Sequence, residues 1–358
     1  MTLFPFILCC AALLTAAFNA LTMRVVRKSD AAQITETVSL LIPMRNEERN
    51  VETCISAALA TTGLSDFTIT VLNDNSSDQT KPLLSSFGSK IQVLDGSTLP
   101  EGWMGKNFAL SQLAESSRAE YLVFSDADVR LTPETLSSSI AMMQKLNWDY
   151  ISPYPRQIAR TFAELLIQPL LQWSWMSSVI LRFAEKSQRP STTIANGQLF
   201  IVKRSAYVAI GGHENIKNEV LDDLELAREL VRGEFCGGVA DASQVVSCRM
   251  YENRGELIEG YTKSLWRAFG GVAGTILAIL ILTWTSLTPF YGAITGSALA
   301  LGGLSLTILS RVIVALRTRS NIFIAVLHPL AIAFLFVLIG LSWMKKRNGT
   351  LQWRGRSI

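Results

Sequence analysis

The stretch Tyr121-Leu122-Val123-Phe124-Ser125-Asp126-Ala127-Asp128 predicts a short buried strand that ends in an acidic turn. Four apolar or aromatic residues lead directly into two carboxylates one residue apart. In a parallel α/β sheet, ligands bind beyond the carboxyl ends of the strands. Asp126 and Asp128 could hold one divalent cation through oxygen, with water and substrate phosphates at the remaining positions. The alternative is a capping turn before a helix that Pro133 and Glu134 would begin.

Three further apolar runs, residues 37–43, 67–72 and 90–94, predict strands that alternate with helices. The resulting β-α-β-α-β-α-β order predicts an α/β fold with a doubly wound sheet and helices on both faces. Asn46 and Glu47 follow the first strand, and Asp74 follows the second. Because strand ends in a parallel sheet share one edge, these side chains are expected to converge with the acidic turn.

Several classes of site are excluded by the absence of their motifs. No Gly-x-Gly-x-x-Gly follows the first strand and no Gly-Lys-Ser/Thr loop occurs, which excludes dinucleotide-binding and P-loop folds. The net charge of +4 is too small to indicate a nucleic-acid partner. The five cysteines show no Cys-x-x-Cys spacing, so neither a disulfide framework nor a zinc site is predicted.

Both ends of the chain are strongly apolar. Residues 3–21 form an uncharged run long enough to span a bilayer. Its positive charges, at Arg24, Arg27 and Lys28, come after the run, whereas a cleaved signal peptide carries them before it. This order predicts an uncleaved anchor in the cell membrane, with the middle of the chain in the cytoplasm.

The C-terminal part predicts three more spans, at residues 271–288, 290–310 and 322–343, the first two separated by Pro289. Three full spans would place the basic tail outside, against the positive-inside bias, so one segment could instead be re-entrant or interfacial. The predicted organisation is an anchor at 1–23, a cytoplasmic domain at 24–267, a membrane region of about three helices at 268–344 and a basic tail at 345–358.

Residues 162–183 combine aromatic and apolar residues with Gln168, Pro169 and Gln172. This composition favours an amphipathic helix at the membrane interface, since tryptophan prefers that depth. A buried helix of the middle domain is the alternative.

The middle of the chain resembles the family 2 glycosyltransferases, which have the nucleotide-sugar-binding GT-A fold. The matching pieces follow the family's order within residues 37–270: Pro43-Met44-Arg45-Asn46-Glu47-Glu48, Asn73-Asp74-Asn75-Ser76-Ser77-Asp78-Gln79-Thr80, Gly105-Lys106-Asn107-Phe108-Ala109, Ser125-Asp126-Ala127-Asp128 and Asp222-Asp223.

The resemblance implies roles for these residues. Those implied to bind the nucleotide sugar, usually through uridine, are Pro43, Asn46, Glu47, Asp74, Lys106 and Asp126. Lys106 is implied to lie near the diphosphate, and Asp126 and Asp128 to hold Mg²⁺ or Mn²⁺. The segments implied to shape the acceptor pocket contain Asn196, Gly197, Gln198 and His213.

Asp222 and Asp223 fall in the first turn of a helix predicted at 219–232, where the helix dipole stabilises carboxylates. By resemblance, Asp223 matches the aspartate of the family's Glu-Asp pair, which acts as general base. The pair here is Asp-Asp, so either carboxylate could be that base. The Gln-x-x-Arg-Trp motif of processive synthases is absent from residues 261–267, which indicates transfer of a single sugar.

Two further stretches, Pro100-Glu101-Gly102-Trp103-Met104-Gly105-Lys106 and Trp353-Arg354-Gly355-Arg356, resemble the membrane glycosyltransferases that act on carotenoid or hopanoid-type lipids. The predicted activity is inverting, hexosyltransferase-like transfer from a nucleotide-diphosphate sugar, with UDP expected, to a hydroxyl or carboxylate of such a lipid. One alternative is a polyprenyl-phosphate glycosyltransferase. Another is an inactive nucleotide-binding membrane scaffold.

Overall fold

The computed structural model describes residues 3–187, 189–353 and 356–357. Within them the chain forms two compact units. The sheet unit comprises residues 24–156 and 184–249, and the helical unit comprises residues 3–23, 157–183 and the described residues from 250 onward. This division differs from the predicted boundary at 24–267, because residues 157–183 and 250–267 pack with the apolar helices.

The strands are β1 Ile34–Met44, β2 Leu64–Asn73, β3 Gln92–Asp95, β4 Tyr121–Ser125, β5 Val129–Leu131, β6 Tyr150–Tyr154, β7 Arg156–Gln157, β8 Leu199–Lys203, β9 Gly237–Asp241, β10 Val246–Cys248, β11 Gln352–Trp353 and β12 Arg356–Ser357. The helices are α1 Leu3–Thr22, α2 Glu48–Leu59, α3 Thr80–Ser85, α4 Gly105–Ser116, α5 Thr135–Leu146, α6 Phe162–Ser178, α7 Leu181–Ser187, α8 Arg204–Ala209, α9 Asp222–Arg232, α10 Arg254–Ala268, α11 Val272–Leu282, α12 Thr288–Ile294, α13 Ala298–Thr318 and α14 His328–Arg347.

The sheet unit is built on a seven-stranded sheet of order β3-β2-β1-β4-β8-β6-β9. The first four strands in this order are parallel, with Met44 of β1 opposite Asn73 of β2 and Leu41 of β1 opposite Phe124 of β4. Their carboxyl ends therefore lie along one edge. The central strands are apolar on both faces and buried, as expected for a parallel sheet covered by helices. The predicted α/β class is confirmed.

β8 departs from an all-parallel arrangement. It runs antiparallel to both neighbours, with Leu199 opposite Ser125 on β4 and Ile201 opposite Ile151 on β6. The start of an antiparallel strand meets the ends of its parallel neighbours, so residues 196–198 fall beside the acidic turn. β5 continues from that turn and pairs antiparallel with β10, which places Cys248 opposite Val129.

The helical unit contains four helices that are long and apolar enough to cross a membrane: Leu3–Thr22, Val272–Ile294, Ala298–Thr318 and Phe323–Arg347. They account for both apolar ends of the chain. The helix α6 belongs to the same unit. The side chain of Asn19, on α1, holds the C-terminal end of α6 by hydrogen bonds. The Asn19 side chain donates to the carbonyls of Met176 and Val179, at 2.8 and 2.6 Å, and accepts from the Leu181 N–H at 3.0 Å.

The predicted break at Pro289 is wrong. The helix continues through a π-helical turn, Thr283–Leu287, and the chain turns only at residues 295–297, where Gly296 has φ +86°. Proline lacks the N–H that would bond the carbonyl four residues earlier, which is that of Thr285. The Thr307 hydroxyl donates to this carbonyl at 2.9 Å, and neighbouring helices often satisfy such groups in membrane proteins.

The C-terminal strands β11 and β12 pair antiparallel through their backbones. In the predicted motif Trp353-Arg354-Gly355-Arg356, Arg354 and Gly355 lie outside the described residues, so this resemblance stays a prediction.

Candidate functional site

The loops after β1 and β2 are held together by side chain to backbone hydrogen bonds. Arg45 donates to the Asp74 carbonyl at 2.8 Å, and the Asn46 side chain accepts from the Ser77 N–H at 2.8 Å. Asn46 adopts the left-handed conformation with φ +53°, which asparagine tolerates better than most residues. The Glu47 N–H donates to the Thr80 hydroxyl at 2.8 Å. These bonds bring the predicted nucleoside-binding residues to one edge of the sheet.

A chain of polar contacts connects Glu47 to the acidic turn. Asn50 donates to the Glu47 carboxylate at 2.8 Å and accepts from the Arg130 guanidinium at 2.7 Å. Arg130 also donates to the Ala127 carbonyl at 2.7 Å, which fixes the backbone of the Asp126-Ala127-Asp128 turn. Pro43 lies in β1 opposite Leu72, one residue before the strand ends at the same edge of the sheet.

The buried thiol of Cys54, on α2, is affected by the charges of Glu47, Asp126 and Asp128. Its pKa is raised to about 12, mainly by burial; Arg130 opposes the increase, and the negative charges of Asp128, Glu47 and Asp126 add to it. Three carboxylates from two separate strand ends therefore act electrostatically on one point of α2.

Cys248 is a site residue that the sequence analysis missed. Its pKa is raised well above the ordinary value, first by burial and then by the charges of Asp128 and Asp126. The thiol is therefore protonated and hydrogen-bonds the Asp128 carboxylate, while it accepts from the Gln198 amide at 3.0 Å. The pairing of β5 with β10 places Cys248 beside the acidic turn, and no spacing in the sequence indicates that pairing.

Lys106 stands at the start of α4 and bridges two groups of carboxylates. Its ammonium nitrogen lies 2.9 Å from Asp126 Oδ1 and 3.2 Å from Asp222 Oδ2. Burial alone lowers the pKa of Lys106, but Asp126, Asp222 and Asp223 outweigh burial and raise it well above its usual range. The lysine is therefore charged at every physiological pH.

Asp223 has the perturbed pKa of a potential base. Burial and the neighbouring charge of Asp222 raise its pKa, Lys106 opposes both effects, and the net pKa is about 6. The carboxylate also accepts hydrogen bonds from the backbone of Gly197 and Leu224. It is therefore ionised near neutral pH but can take up a proton at modest cost, which suits general base catalysis.

The 196–198 loop leaves no space beside Asp223. A Cβ on Gly197 would lie 3.1 Å from Asp223 Cβ and 3.2 Å from Lys106 Nζ. Asn196 and Gln198 are buried, and the Asn196 side chain accepts from the Gln198 N–H at 2.8 Å. These two amides therefore shape the loop from within the protein.

His213 is a buried neutral imidazole. Burial lowers its pKa to about 4, with Lys106 adding to the decrease and Asp222 opposing it. Its Nδ1 lies 2.8 Å from the Tyr207 hydroxyl, and its ring packs edge-on against Phe124. The Tyr207 hydroxyl also accepts the His213 backbone N–H at 3.1 Å, which favours the tautomer with its proton on Nε2.

Most of the charged and polar side chains described above line one small cavity of the sheet unit. The polar residues that line it are Lys106, Ser125, Asp126, His213, Asp222 and Asp223, together with the backbone of Gly197. Asn46, Glu47 and Asp74 lie along the same strand ends, outside this lining. Trp103 packs edge-on against Phe108, with ring centroids 5.3 Å apart, so its role in the structure is packing.

The donor set at the acidic turn fits a hard cation held jointly with a substrate. Among the described residues, no group of three or more His, Cys, Asp or Glu side chains is arranged to hold a metal ion alone. Asp126 and Asp128 supply carboxylate oxygens, and the adjacent Cys248 is protonated. Oxygen ligands completed by water and diphosphate suit Mg²⁺ or Mn²⁺, whereas a soft-metal site would need thiolates.

A mixed sheet with Asp-x-Asp at the end of a central strand is the arrangement expected of the GT-A fold. Residues 39–211 match the model of Glycosyl transferase family 2. These residues form a family 2 domain, and the protein is a glycosyltransferase, which confirms the predicted resemblance and class of enzyme.

Two known proteins show how far the likeness extends. A 4,4'-diaponeurosporenoate glycosyltransferase from Staphylococcus haemolyticus (strain JCSC1435) is 25% identical over 276 residues, which cover 74% of this chain and 71% of that protein. The mannosyltransferase PcManGT from Pyrobaculum calidifontis, solved with GDP-Man and Mn2+, shares the fold with a TM-score of 0.59 and 17% identity. That match covers 94% of each chain.

Gly197→Ala is expected to lower sugar transfer by about ten- to a hundredfold, because the new methyl group must displace Asp223 or Lys106 and small displacements of reacting groups are costly. The measurement is the transfer rate at saturating donor. Gly238→Ala is the matched control, since its Cβ would meet Trp148 at an ordinary 3.5 Å. Equal rates for Gly197→Ala and Gly238→Ala would show that this close approach has no catalytic importance.

Proposed function

We propose that this protein transfers a single sugar, with inversion, from a nucleotide-diphosphate sugar to a hydroxyl or carboxylate of a membrane lipid. The observation that carries the proposal is the partly buried Asp223, whose pKa of about 6 places a proton acceptor beside Lys106 and Asp126. One small cavity thus contains a candidate base and the groups expected to hold the leaving diphosphate.

Residues at the ends of β1, β2 and β4 bind the nucleotide-sugar donor. Asn46, Glu47 and Asp74 hold the nucleoside, and Asp126 binds the ribose. Lys106 provides the positive charge for the diphosphate, to which a lysine acts as a point cation. The GDP-Man in the mannosyltransferase of the same fold supports a nucleotide-diphosphate donor. UDP is the nucleotide expected from the sequence resemblance.

Asp126 and Asp128 would hold Mg²⁺ or Mn²⁺, as the Mn2+ in the same mannosyltransferase supports. A cation bound there would supply charge neutralisation for the departing nucleotide diphosphate. Lys106 contacts Asp126 at 2.9 Å, so the chain itself would supply a second positive charge at the leaving group.

In the reaction, the acceptor oxygen attacks the anomeric carbon as the bond from that carbon to the diphosphate oxygen breaks. The diphosphate leaves with the electron pair, and a single displacement inverts the anomeric centre. When the acceptor is a hydroxyl, its proton passes to the Asp223 carboxylate. Asp222 is the weaker candidate for this role, because its carboxylate pairs with Lys106 at 3.2 Å.

The acceptor class follows from the helical unit and from the Staphylococcus relative. Four membrane-length helices support a protein embedded in a bilayer, where a lipid acceptor would be at hand. The relative's name gives a carotenoid acid as its substrate, so a carotenoid or similar lipid, carrying a carboxylate or hydroxyl, is the acceptor we propose. A carboxylate is already ionised and would need no base.

We expect Asp223→Asn to reduce transfer to a hydroxyl acceptor by roughly 10²–10⁴-fold, because asparagine cannot accept the proton. Donor binding, titrated separately, should stay near the wild-type value. Asp222→Asn is the matched control: it should lose less activity, and the acid limb of its pH profile should move to lower pH because Asp222 raises the pKa of Asp223.

The acceptor itself can be identified by mass spectrometry of lipid extracts from cells that carry the wild type, Asp223→Asn or no copy of the chain. A lipid heavier by one sugar should appear only with an active enzyme. If Asp223→Asn and Asp222→Asn both retain full transfer, the base assignment is wrong and the acceptor is an anion, such as a lipid carboxylate or a polyprenyl phosphate.

Removal of divalent cations by EDTA should abolish transfer, and Mn²⁺ or Mg²⁺ should restore it. Asp128→Ala should resist this restoration, because one of the two carboxylates expected to hold the cation is missing. Asp95→Ala provides the comparison, since Asp95 is an exposed carboxylate whose partners are Lys81, at 2.9 Å, and Asn73, at 3.3 Å. Transfer by Asp128→Ala at the rate of Asp95→Ala would refute the metal site.

We also propose a multi-pass protein of the cell membrane whose sheet unit faces the cytoplasm. Arg24, Arg27 and Lys28 directly after α1 support this orientation. In a chain without native cysteines, Lys90→Cys should react with an impermeant maleimide only after cells are opened, whereas Thr295→Cys, between two spans, should react on intact cells. The reverse pattern would contradict the orientation.

A further inference from the structure

The helical unit contains a buried arginine that has no counter-ion within the described part of the chain. Arg311, on α13, is 3% exposed, and its Nη1 has no hydrogen-bond partner among the described residues. Its contact with the Trp173 ring, 6.0 Å from guanidinium carbon to ring centroid, is a cation–π interaction. Charged groups inside membrane segments are costly and normally pair with other charges, backbone carbonyls or ligands.

The sequence offers no carboxylate for this arginine within the helices around it. No Asp or Glu follows Glu259, so residues 260–358 contain none. In α6 the single acidic residue is Glu164, whose oxygens accept from the Thr161 hydroxyl and the Arg160 N–H, both at 2.7 Å. The charge of Arg311 is therefore not neutralised from the neighbouring helices.

The helix α6, whose Trp173 contacts Arg311, also carries two glutamines with buried side chains. Both amide atoms of Gln168 and the amide nitrogen of Gln172 are buried without partners among the described residues. These glutamines lie one helical turn apart on α6, just before Trp173, which donates to the Ser310 hydroxyl at 2.8 Å. His328 packs edge-on against Trp173, with ring centroids 4.6 Å apart, and contacts Ser286 through Nε2 at 2.9 Å.

We propose that Arg311, with Gln168 and Gln172, binds the oxyanion of a membrane lipid, a carboxylate or a phosphate. Buried donors without partners each carry a desolvation cost that an acceptor-rich ligand would remove. A guanidinium binds carboxylate and phosphate through paired hydrogen bonds, which makes arginine the suited residue. This inference concerns a lipid site of the helical unit and does not rest on the identity of the sugar acceptor.

The position of Arg311 along α13 fits an amphiphile. It lies seven residues before Thr318, where α13 ends, which corresponds to about 10 Å along the helix. Arg317 and Arg319 mark that end as a membrane–water boundary, since such residues flank spans. The site is thus at the depth where a lipid can place its charged group while its chain remains among the helices.

Binding of radiolabelled oleate to the full chain in phosphatidylcholine nanodiscs tests the proposal, with empty nanodiscs as background. We expect saturable binding of one oleate per chain. Arg311→Met should weaken it by about ten- to a hundredfold, the effect of losing charge-assisted hydrogen bonds. Arg311→Lys should bind with intermediate affinity. Arg319→Met, which removes an exposed cation from the end of the same helix, should bind like the wild type.

Competition identifies the chemistry of the ligand. Dioleoyl phosphatidate should displace oleate if phosphate is also accepted, and its failure to do so would assign the site to carboxylates. Uncharged oleyl alcohol should not compete. Equal competition by oleyl alcohol or by inorganic phosphate would overturn the proposal, because the first needs no anion site and the second needs no lipid.

Thermal unfolding separates a ligand site from a structural arginine. Without oleate, Arg311→Met should be at least as stable as the wild type, since an unpaired buried charge is removed. Oleate should raise the melting temperature of the wild type and Arg319→Met but not of Arg311→Met. If Arg311→Met does not fold, Gln168→Met decides: unchanged oleate affinity in that variant would reject the site.

Discussion

The bridge from Lys106 to Asp126 and Asp222 is the interaction on which the candidate site depends. Asp126 follows β4, whereas Asp222 begins α9, nearly a hundred residues later. Without a cation between them, the carboxylates of Asp126, Asp222 and Asp223 would repel one another in a poorly solvated cavity. Burying charge is costly unless the charges are paired, so the lysine makes this acidic cluster possible.

The same lysine sets the chemistry of Asp223. Burial and Asp222 push the pKa of Asp223 upward, and Lys106 limits the increase, which leaves a value of about 6. A carboxylate with an ordinary pKa would be a weaker base, and the pKa of Asp223 would be higher still without the lysine. Gly197 contributes through its size, because its lack of a side chain lets β8 begin directly against both groups.

Much of this site could be predicted because its residues follow strands in the sequence. Asn46, Asp74 and Asp126 each come after a recognisable apolar run, and parallel pairing brings the ends of such runs to one edge. Cys248 and the antiparallel direction of β8 could not be predicted, since both depend on pairing between strands far apart in the chain. Motifs indicate Gly197 and Lys106 in the sequence, but the proximity of Gly197 to Asp223 and the effect of Asp223 on Lys106 are visible only in the structure.

The helical unit shows a similar limit. Length and apolar composition predict the membrane-length helices, but Pro289 predicts a boundary that the structure does not have, because proline usually breaks helices. Because Pro289 has no N–H, the Thr285 carbonyl lacks its usual donor within the helix. The Thr307 hydroxyl, on another helix, donates to this carbonyl instead, and sequence alone gives no sign of that contact. The unpaired state of Arg311 likewise becomes visible only when its neighbours are known.

The most direct test of the catalytic role assigned to Lys106 and Asp223 is the pH dependence of kcat, at saturating donor and with a hydroxyl acceptor. In the wild type the rate should fall as the pH decreases through about 6, because Asp223 becomes protonated. In Lys106→Gln the maximum rate should be lower and the fall should begin at higher pH, since the charge that opposes the increase in the Asp223 pKa is gone. Lys81→Gln, which removes a surface lysine, should leave the profile unchanged. An acid limb that keeps its position in Lys106→Gln, or moves to lower pH, would contradict the account.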